Sequence, residues 1–96
     1  MQLYKDLFRY IIHEIKTKYR VFMENNFKEI ISVANETIFV LCSSFFKSTD
    51  PIDLKFRDAM VEALEKVIVF AMLKDEQMVM AYWNQFAILQ FEWGNH

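Results

Sequence analysis

The chain has very little of what breaks a helix. Among its 96 residues there is a single glycine and a single proline, the two residues that most often mark turns. An all-β fold needs many tight turns, and average usage of each residue is several per cent. The scarcity leaves almost no room for such a fold and predicts long helices joined by short connections.

The chain also lacks cysteine pairs and long apolar runs. Cys42 is the only cysteine, so no internal disulfide can form and a reducing compartment is the expected location. No apolar run reaches the ~18–20 residues that span a bilayer. The N-terminus carries Lys5, Asp6 and Arg9 within a helical pattern, unlike a signal peptide. We therefore expect an intracellular protein with no membrane partner.

An excess of positive charge is missing as well. The formal net charge is −2, which argues against a nucleic-acid partner. Residues 1–28 do hold six Lys and Arg against three Asp and Glu. A nucleic-acid or phospholipid patch needs an uninterrupted basic face, and Asp6 and Glu14 interrupt this one. A solvated helix face of mixed sign is the better interpretation.

What the chain does have is apolar surface. Hydrophobic residues make up 54% of it and aromatic residues 17%, whereas ordinary soluble domains reach about 45–50% apolar. A chain of this size buries only roughly 65% of the surface that its unfolded form exposes. We therefore expect exposed apolar surface that contacts another protein, another copy, or more of the same polypeptide. The isolated chain is expected to self-associate.

Hydrophobic spacing predicts four amphipathic helices, because apolar residues recur at steps of three and four. Asn26 and Glu29 resemble a capping box at the second helix, Asp53 is the expected N-cap of the third, and Asp75 that of the fourth. Gly94 is placed to end the fourth helix. The predicted apolar stripes are Leu3, Tyr4, Leu7, Phe8, Ile11, Ile12, Ile15 and Tyr19; Phe27, Ile30, Ile31, Ala34, Ile38, Leu41, Cys42 and Phe45; Phe56, Met60, Ala63, Leu64, Val67, Ile68 and Ala71; and Met78, Val79, Tyr82, Trp83, Phe86, Ile88, Leu89 and Trp93.

The predicted fold class is all-α, with four antiparallel helices arranged as two HEAT-like helical hairpins. Hairpin one covers about residues 2–47 and hairpin two about 53–93, within one all-α domain or repeat segment of residues 1–96. HEAT-type repeats pair helices with a period of about 40–47 residues, which fits the offset loosely. A closed four-helix bundle is the alternative. The second helix is apolar on several faces in its C-terminal half, which favours a position between layers.

No residue pattern points to chemistry. His13 has no second histidine four residues further on, and His96 is terminal, so a metal site is not predicted. Cys42 lies in an apolar run and is expected to be a core thiol. One glycine cannot form a phosphate-binding loop. We predict no catalytic, metal or cofactor-binding residue, no cofactor, and a protein that is not an enzyme.

Two further groups of side chains have competing interpretations. Asp58, Glu62 and Glu65 share a helix face, but Lys55 and Lys66 lie close by, so a solvated ion-pair face is favoured over an acid–base pair. The second group consists of aromatic residues of the fourth helix, Trp83, Phe86 and Trp93. Packing in the core is the first interpretation. The other is a candidate interaction surface, in which these side chains are exposed anchors for a protein partner.

The segment from Asn35 to Leu89 carries a family resemblance. The residues concerned are Phe39-Val40-Leu41-Cys42 with Phe45-Phe46-Lys47, then Leu54-Lys55-Phe56-Arg57-Asp58-Ala59-Met60 with Glu62-Ala63-Leu64, and finally Glu76 with Tyr82-Trp83-Asn84. They resemble a helical-repeat segment of the exportin that binds leucine-rich nuclear export signals, in the importin-β superfamily. No residue here matches the cargo groove or the acidic loop of that family.

This resemblance implies a segment of a nuclear transport receptor. Such receptors are solenoids of some twenty helical repeats, and this chain has two. Their concave face binds the small GTPase Ran and their outer face binds cargo, so Ran and cargo would be partners and the protein would occupy nucleus and cytoplasm. A small stand-alone helical protein that acts through protein–protein interaction, as an oligomer, is the alternative that the residues leave open.

Overall fold

A computed structural model describes Tyr10, residues 27–43 and residues 48–95 of the chain. These parts form three α-helices and no strand: α1 (Phe27–Leu41), α2 (Pro51–Met72) and α3 (Glu76–Gly94). The all-α prediction is confirmed for them. The first predicted helix lies outside the described residues, apart from the exposed helical residue Tyr10, and so does Asn26 of the predicted capping box.

Helix α2 begins three residues earlier than expected. The N-cap is Asp50, whose side chain accepts a hydrogen bond from the backbone N–H of Ile52 at 2.8 Å, and Pro51 occupies the first turn. Proline is favoured there because the N–H that it lacks would have no helical partner. The predicted N-cap Asp53 is therefore wrong. That residue lies inside the first turn, where its carboxylate is buried.

A tight turn joins α2 to α3. Lys74 has a left-handed φ of 57°, and the backbone N–H groups of Lys74 and Asp75 donate to Ala71 and Phe70 at 3.1 and 2.9 Å. This pattern ends a helix in the Schellman manner, although glycine is the usual residue at the left-handed position. Asp75 then caps α3 by accepting from the N–H of Met78 at 3.2 Å. The prediction of Asp75 as N-cap is confirmed.

The far end of α3 follows the sequence closely. Gly94 is its last residue and Asn95 is the C-cap. The Asn95 side-chain amide donates to the carbonyl of Phe91 at 3.2 Å, and the backbone N–H of Asn95 donates to the same carbonyl at 3.1 Å.

Helix α2 is the middle element of the described part, with α1 and α3 each packed against it. Its predicted stripe forms the centre of the core, and α1 and α3 contribute one face each. An open stack of hairpins and a closed bundle both contain this arrangement. The buried apolar residues are Ile30, Val33, Ala34, Leu41, Met60, Ala63, Leu64, Val67, Ala71, Val79, Trp83, Phe86 and Trp93.

Candidate interaction surface

The three aromatic residues predicted as an interaction surface lie in the core. Trp83 is 9% exposed, and Phe86 and Trp93 are fully buried. Their spacing of three and seven residues places them on one side of α3, and this side faces α2. The packing interpretation agrees with the burial of all three, and their role as an interaction surface stays a prediction.

Trp93 has a polar partner that the sequence did not reveal. Its indole N–H donates to Oδ1 of Asp53 at 2.9 Å, across 40 residues of sequence. The other carboxylate oxygen accepts from the hydroxyl of Ser48 at 2.7 Å. Asp53 is only 4% exposed, and a buried carboxylate is tolerated where hydrogen bonds satisfy it. The cluster joins the start of α2 to the end of α3 and shows that the two helices are antiparallel.

A second contact fixes the opposite end of the same pair. The rings of Phe70 and Tyr82 are stacked with centroids 5.7 Å apart and an interplanar angle of 8°. Aromatic pairs of this geometry contribute about 0.5–1.5 kcal/mol beyond the area that they bury. Because one contact lies near the turn and the other at the open ends, α2 and α3 are held together along their length.

The outer face of α3 is the feature that sequence reasoning missed. No charged residue occurs in the chain between Glu76 and Glu92, so every exposed position along this stretch is apolar or carries a neutral polar side chain. Ile88 and Phe91 are large apolar residues that are more than half exposed. We call this surface the neutral face; its members are Gln77, Met80, Ala81, Asn84, Gln85, Ile88 and Phe91.

The outer face of α2 has the opposite character. Five of its nine exposed residues are charged, namely Lys55, Asp58, Glu62, Glu65 and Lys66. Such a face is typical of a helix in contact with water. Protein interfaces, by contrast, are depleted of charge at their centre and enriched in aromatic residues and methionine. The neutral face of α3 therefore has the composition of a contact surface, and the face of α2 does not.

The acidic face predicted from Asp58, Glu62 and Glu65 is solvated, and the cation that pairs with it is Arg57 instead of the expected Lys55 or Lys66. Asp58 pairs with Arg57, whose guanidinium Nη2 lies 3.1 Å from Oδ1, while Glu62 and Glu65 are exposed. Cys42 lines a shallow groove together with these residues. Its thiol is exposed, so the prediction of a core thiol is wrong. Cys42 directly follows the last residue of α1, the buried Leu41, and its own side chain is exposed.

Among the described residues, no group of three His, Cys, Asp or Glu side chains lies close enough to hold a metal ion. His13 and His96 lie outside those residues. No helix in the described ranges combines the length and apolar composition needed to cross a membrane.

No protein-family model, no curated protein and no solved structure matches this chain.

Proposed function

We propose that the chain is a helical-repeat segment of a nuclear transport receptor and contributes to a solenoid that binds Ran and cargo. The observation that carries the proposal is the neutral face of α3, an exposed helix surface of interface composition. The choice of receptor family rests on the exportin-like residues on either side of the turn, such as Leu64 in α2 and Trp83 in α3.

The packing order gives it further support. In a solenoid, each helix pair contacts only its neighbours and leaves one face for the next pair. Here α1 and α3 pack chiefly on α2, and the neutral face lies on the side of α3 away from the Trp83 and Phe86 that fill the core. A face with no charge and large apolar side chains fits a position against another helical layer.

In this proposal most residues of the chain are structural. The buried cluster of Asp53 and Trp93 and the stack of Phe70 on Tyr82 make the α2–α3 pair a rigid unit, and small rotations between such units curve a solenoid. Ran and cargo bind the assembled array. The receptor would work in nucleus and cytoplasm.

A stand-alone interaction protein is the second candidate, and the neutral face favours it equally. A small helical protein can expose such a face to a separate protein partner or to another copy, and then act as a discrete oligomer. Both candidates work through contact, and neither needs a catalytic group.

Detection of the native polypeptide separates the two candidates. An antibody against this chain is applied to lysate of the cells that produce it, before and after passage over immobilised Ran loaded with GTP or with GDP. We expect a band many times heavier than 11.6 kDa, retained by the GTP form and not by the GDP form. A band near 11.6 kDa that neither form of Ran retains would refute the receptor proposal and favour the stand-alone protein.

A further inference from the structure

The turn between α2 and α3 is a strained point of the described fold. Lys74 has a φ of 57°, and a residue with a Cβ is strained in this left-handed region. Glycine is the usual residue there, but the only glycine of the chain is Gly94, at the end of α3. The turn also contains no proline. The contacts between the two helices, rather than the turn sequence, therefore hold the chain in its reversal.

Those contacts lie outside the turn. At the open ends of the pair, the indole N–H of Trp93 donates to the buried carboxylate of Asp53 at 2.9 Å. Near the turn, the ring of Tyr82 stacks on that of Phe70. Both contacts join the body of α3 to the body of α2, so the α3 of a second copy can make the same contacts with the same α2 once the turn opens.

Helix α3 can also leave without disturbing the other helix pair. Among the described elements, α1 and α3 each pack on α2, and the contact of α1 with α2 does not depend on α3. Removal of α3 would expose the buried Trp83 and Phe86, and exposure of large apolar side chains is costly. The α3 of another copy is identical and covers the same surface of α2.

We propose that the turn at Lys74 is a hinge, and that the chain forms a domain-swapped dimer in which α3 of each copy packs on α2 of the other. Asp53 then accepts its hydrogen bond from the partner's Trp93. The left-handed strain is released at both turns, while the buried contacts between α2 and α3 are formed again. Domain swapping is a low-cost route to dimers, and short strained connections favour it.

The swapped dimer differs from association through an exposed surface. It uses the inner face of α3 and leaves the neutral face on the outside. Because exchange must break the core between α2 and α3, the dimer dissociates only as fast as this pair unfolds and persists on dilution. The inference goes beyond the proposed function and involves neither Ran nor cargo.

The first test uses the full chain, refolded from denaturant at increasing protein concentration. Size-exclusion chromatography after dilution should show a dimer whose share rises with the concentration during refolding. Lys74→Gly should lower the dimerisation constant about five- to thirtyfold, because it relieves the strain of two turns in the monomers that form each dimer. The matched control is Lys66→Ala, an exposed lysine within α2, which should leave the constant unchanged.

The second test separates a swapped dimer from a side-by-side dimer. An Asp53→Ala chain with isotope-labelled tryptophan is refolded together with an unlabelled Trp93→Phe chain. In the swapped heterodimer the labelled Trp93 meets the partner's Asp53, so its indole N–H resonance returns to the wild-type position. In a side-by-side dimer it stays opposite the alanine of its own chain and does not move. Trp83 gives the reference signal in the same spectrum.

Three results would overturn the proposal: a wild-type chain without a dimer that persists on dilution, a Lys74→Gly chain that dimerises as strongly as wild type, or a labelled Trp93 signal that does not shift. If either variant in the second test fails to fold, wild-type dimers of labelled and unlabelled chains replace it. Magnetisation transfer between the rings of Phe70 and Tyr82 of different chains is then expected, and its absence contradicts the swap. Retention on GTP-loaded Ran is independent of these results, so failure here does not refute the proposed function.

Discussion

Helices α2 and α3 bury similar stripes but expose different surfaces. Both contribute apolar residues at helical spacing to one core, including Leu64 from α2 and Phe86 from α3. On the outside, α2 presents lysines, aspartate and glutamates, whereas α3 has no charge between Glu76 and Glu92. The inner faces show only that each helix belongs to the fold. The outer faces differ in composition: that of α2 is typical of a helix in water, and that of α3 is the one that we propose as a contact surface.

The contrast has a simple physical origin. A buried stripe is required of any helix that packs, whatever the protein does. An exposed position is under no such requirement, and charged residues are its usual occupants because they cost nothing in water. Four turns of exposed helix without a charge therefore support our proposal that another protein surface covers this face.

The largest expected effect comes from the inner face of α3. Trp93→Ala removes a fully buried side chain and should lower the free energy of unfolding by about 3–5 kcal/mol, the usual cost of deleting a large aromatic from a core. Urea denaturation followed by circular dichroism measures it.

Two controls separate packing from the hydrogen bond to Asp53. Trp93→Phe keeps most of the ring but loses the indole donor, and should cost about 1–3 kcal/mol. Ile88→Ala, on the outer face of the same helix, should change stability by less than about 0.5 kcal/mol. Equal losses for Trp93→Ala and Ile88→Ala would show that the two faces of α3 do not have separate roles.

The next effect concerns association rather than folding. Ile88→Lys introduces one charge into the neutral face and should weaken self-association by about tenfold, with little change in unfolding. The matched control is Glu65→Lys, which exchanges charge on the outer face of α2 and should leave association unchanged. Sedimentation equilibrium gives both constants. A stronger effect from the α2 variant would reverse the assignment of the two faces.

A smaller effect is expected at the turn between the two helices. Lys74 holds a left-handed φ of 57°, which strains any residue with a Cβ. Lys74→Gly relieves that strain at some cost in unfolded-state entropy, and should stabilise the chain by about 0.5–1 kcal/mol. Lys74→Val is the control and should destabilise it. Thermal unfolding that moves the other way for glycine would exclude the Schellman turn.

The smallest effect belongs to the charged face of α2. Arg57 pairs with Asp58, whose side chain is 72% exposed, and such pairs contribute little because water screens them. Arg57→Ala should change the free energy of unfolding by less than about 0.5 kcal/mol, measured by urea denaturation. A loss above 1 kcal/mol would mean that this face is more than a solvated surface.

The sequence predicted the helices well because their signals are local. The spacing of Met60, Leu64 and Val67 in α2 and of Val79 and Phe86 in α3 follows directly from helix geometry, and these residues are buried as expected. The cap at Asp75 was equally readable, because a short polar side chain before an apolar stretch favours that position.

The candidate surface could not be placed in the same way. The periodicity that puts Trp83 and Trp93 on one side of α3 does not say whether that side faces α2 or solvent. The hydrogen bond from Trp93 to Asp53 joins residues 40 positions apart, so no local pattern predicts it. The local pattern at Asp53 indicates an N-cap instead. The stretch without charge between Glu76 and Glu92 was the available signal for the neutral face.

The central claim is that the neutral face is a contact surface and the outer face of α2 is not. Two exposed methionines report on these faces in the unmodified chain: Met80 is 38% exposed in α3, and Met72 is 69% exposed at the end of α2. Their oxidation by dilute peroxide, followed by mass spectrometry as protein concentration rises, compares the faces directly. We predict that Met80 becomes protected while Met72 is oxidised at a constant rate. Equal rates for Met80 at all concentrations, or protection of Met72 alone, would contradict the account.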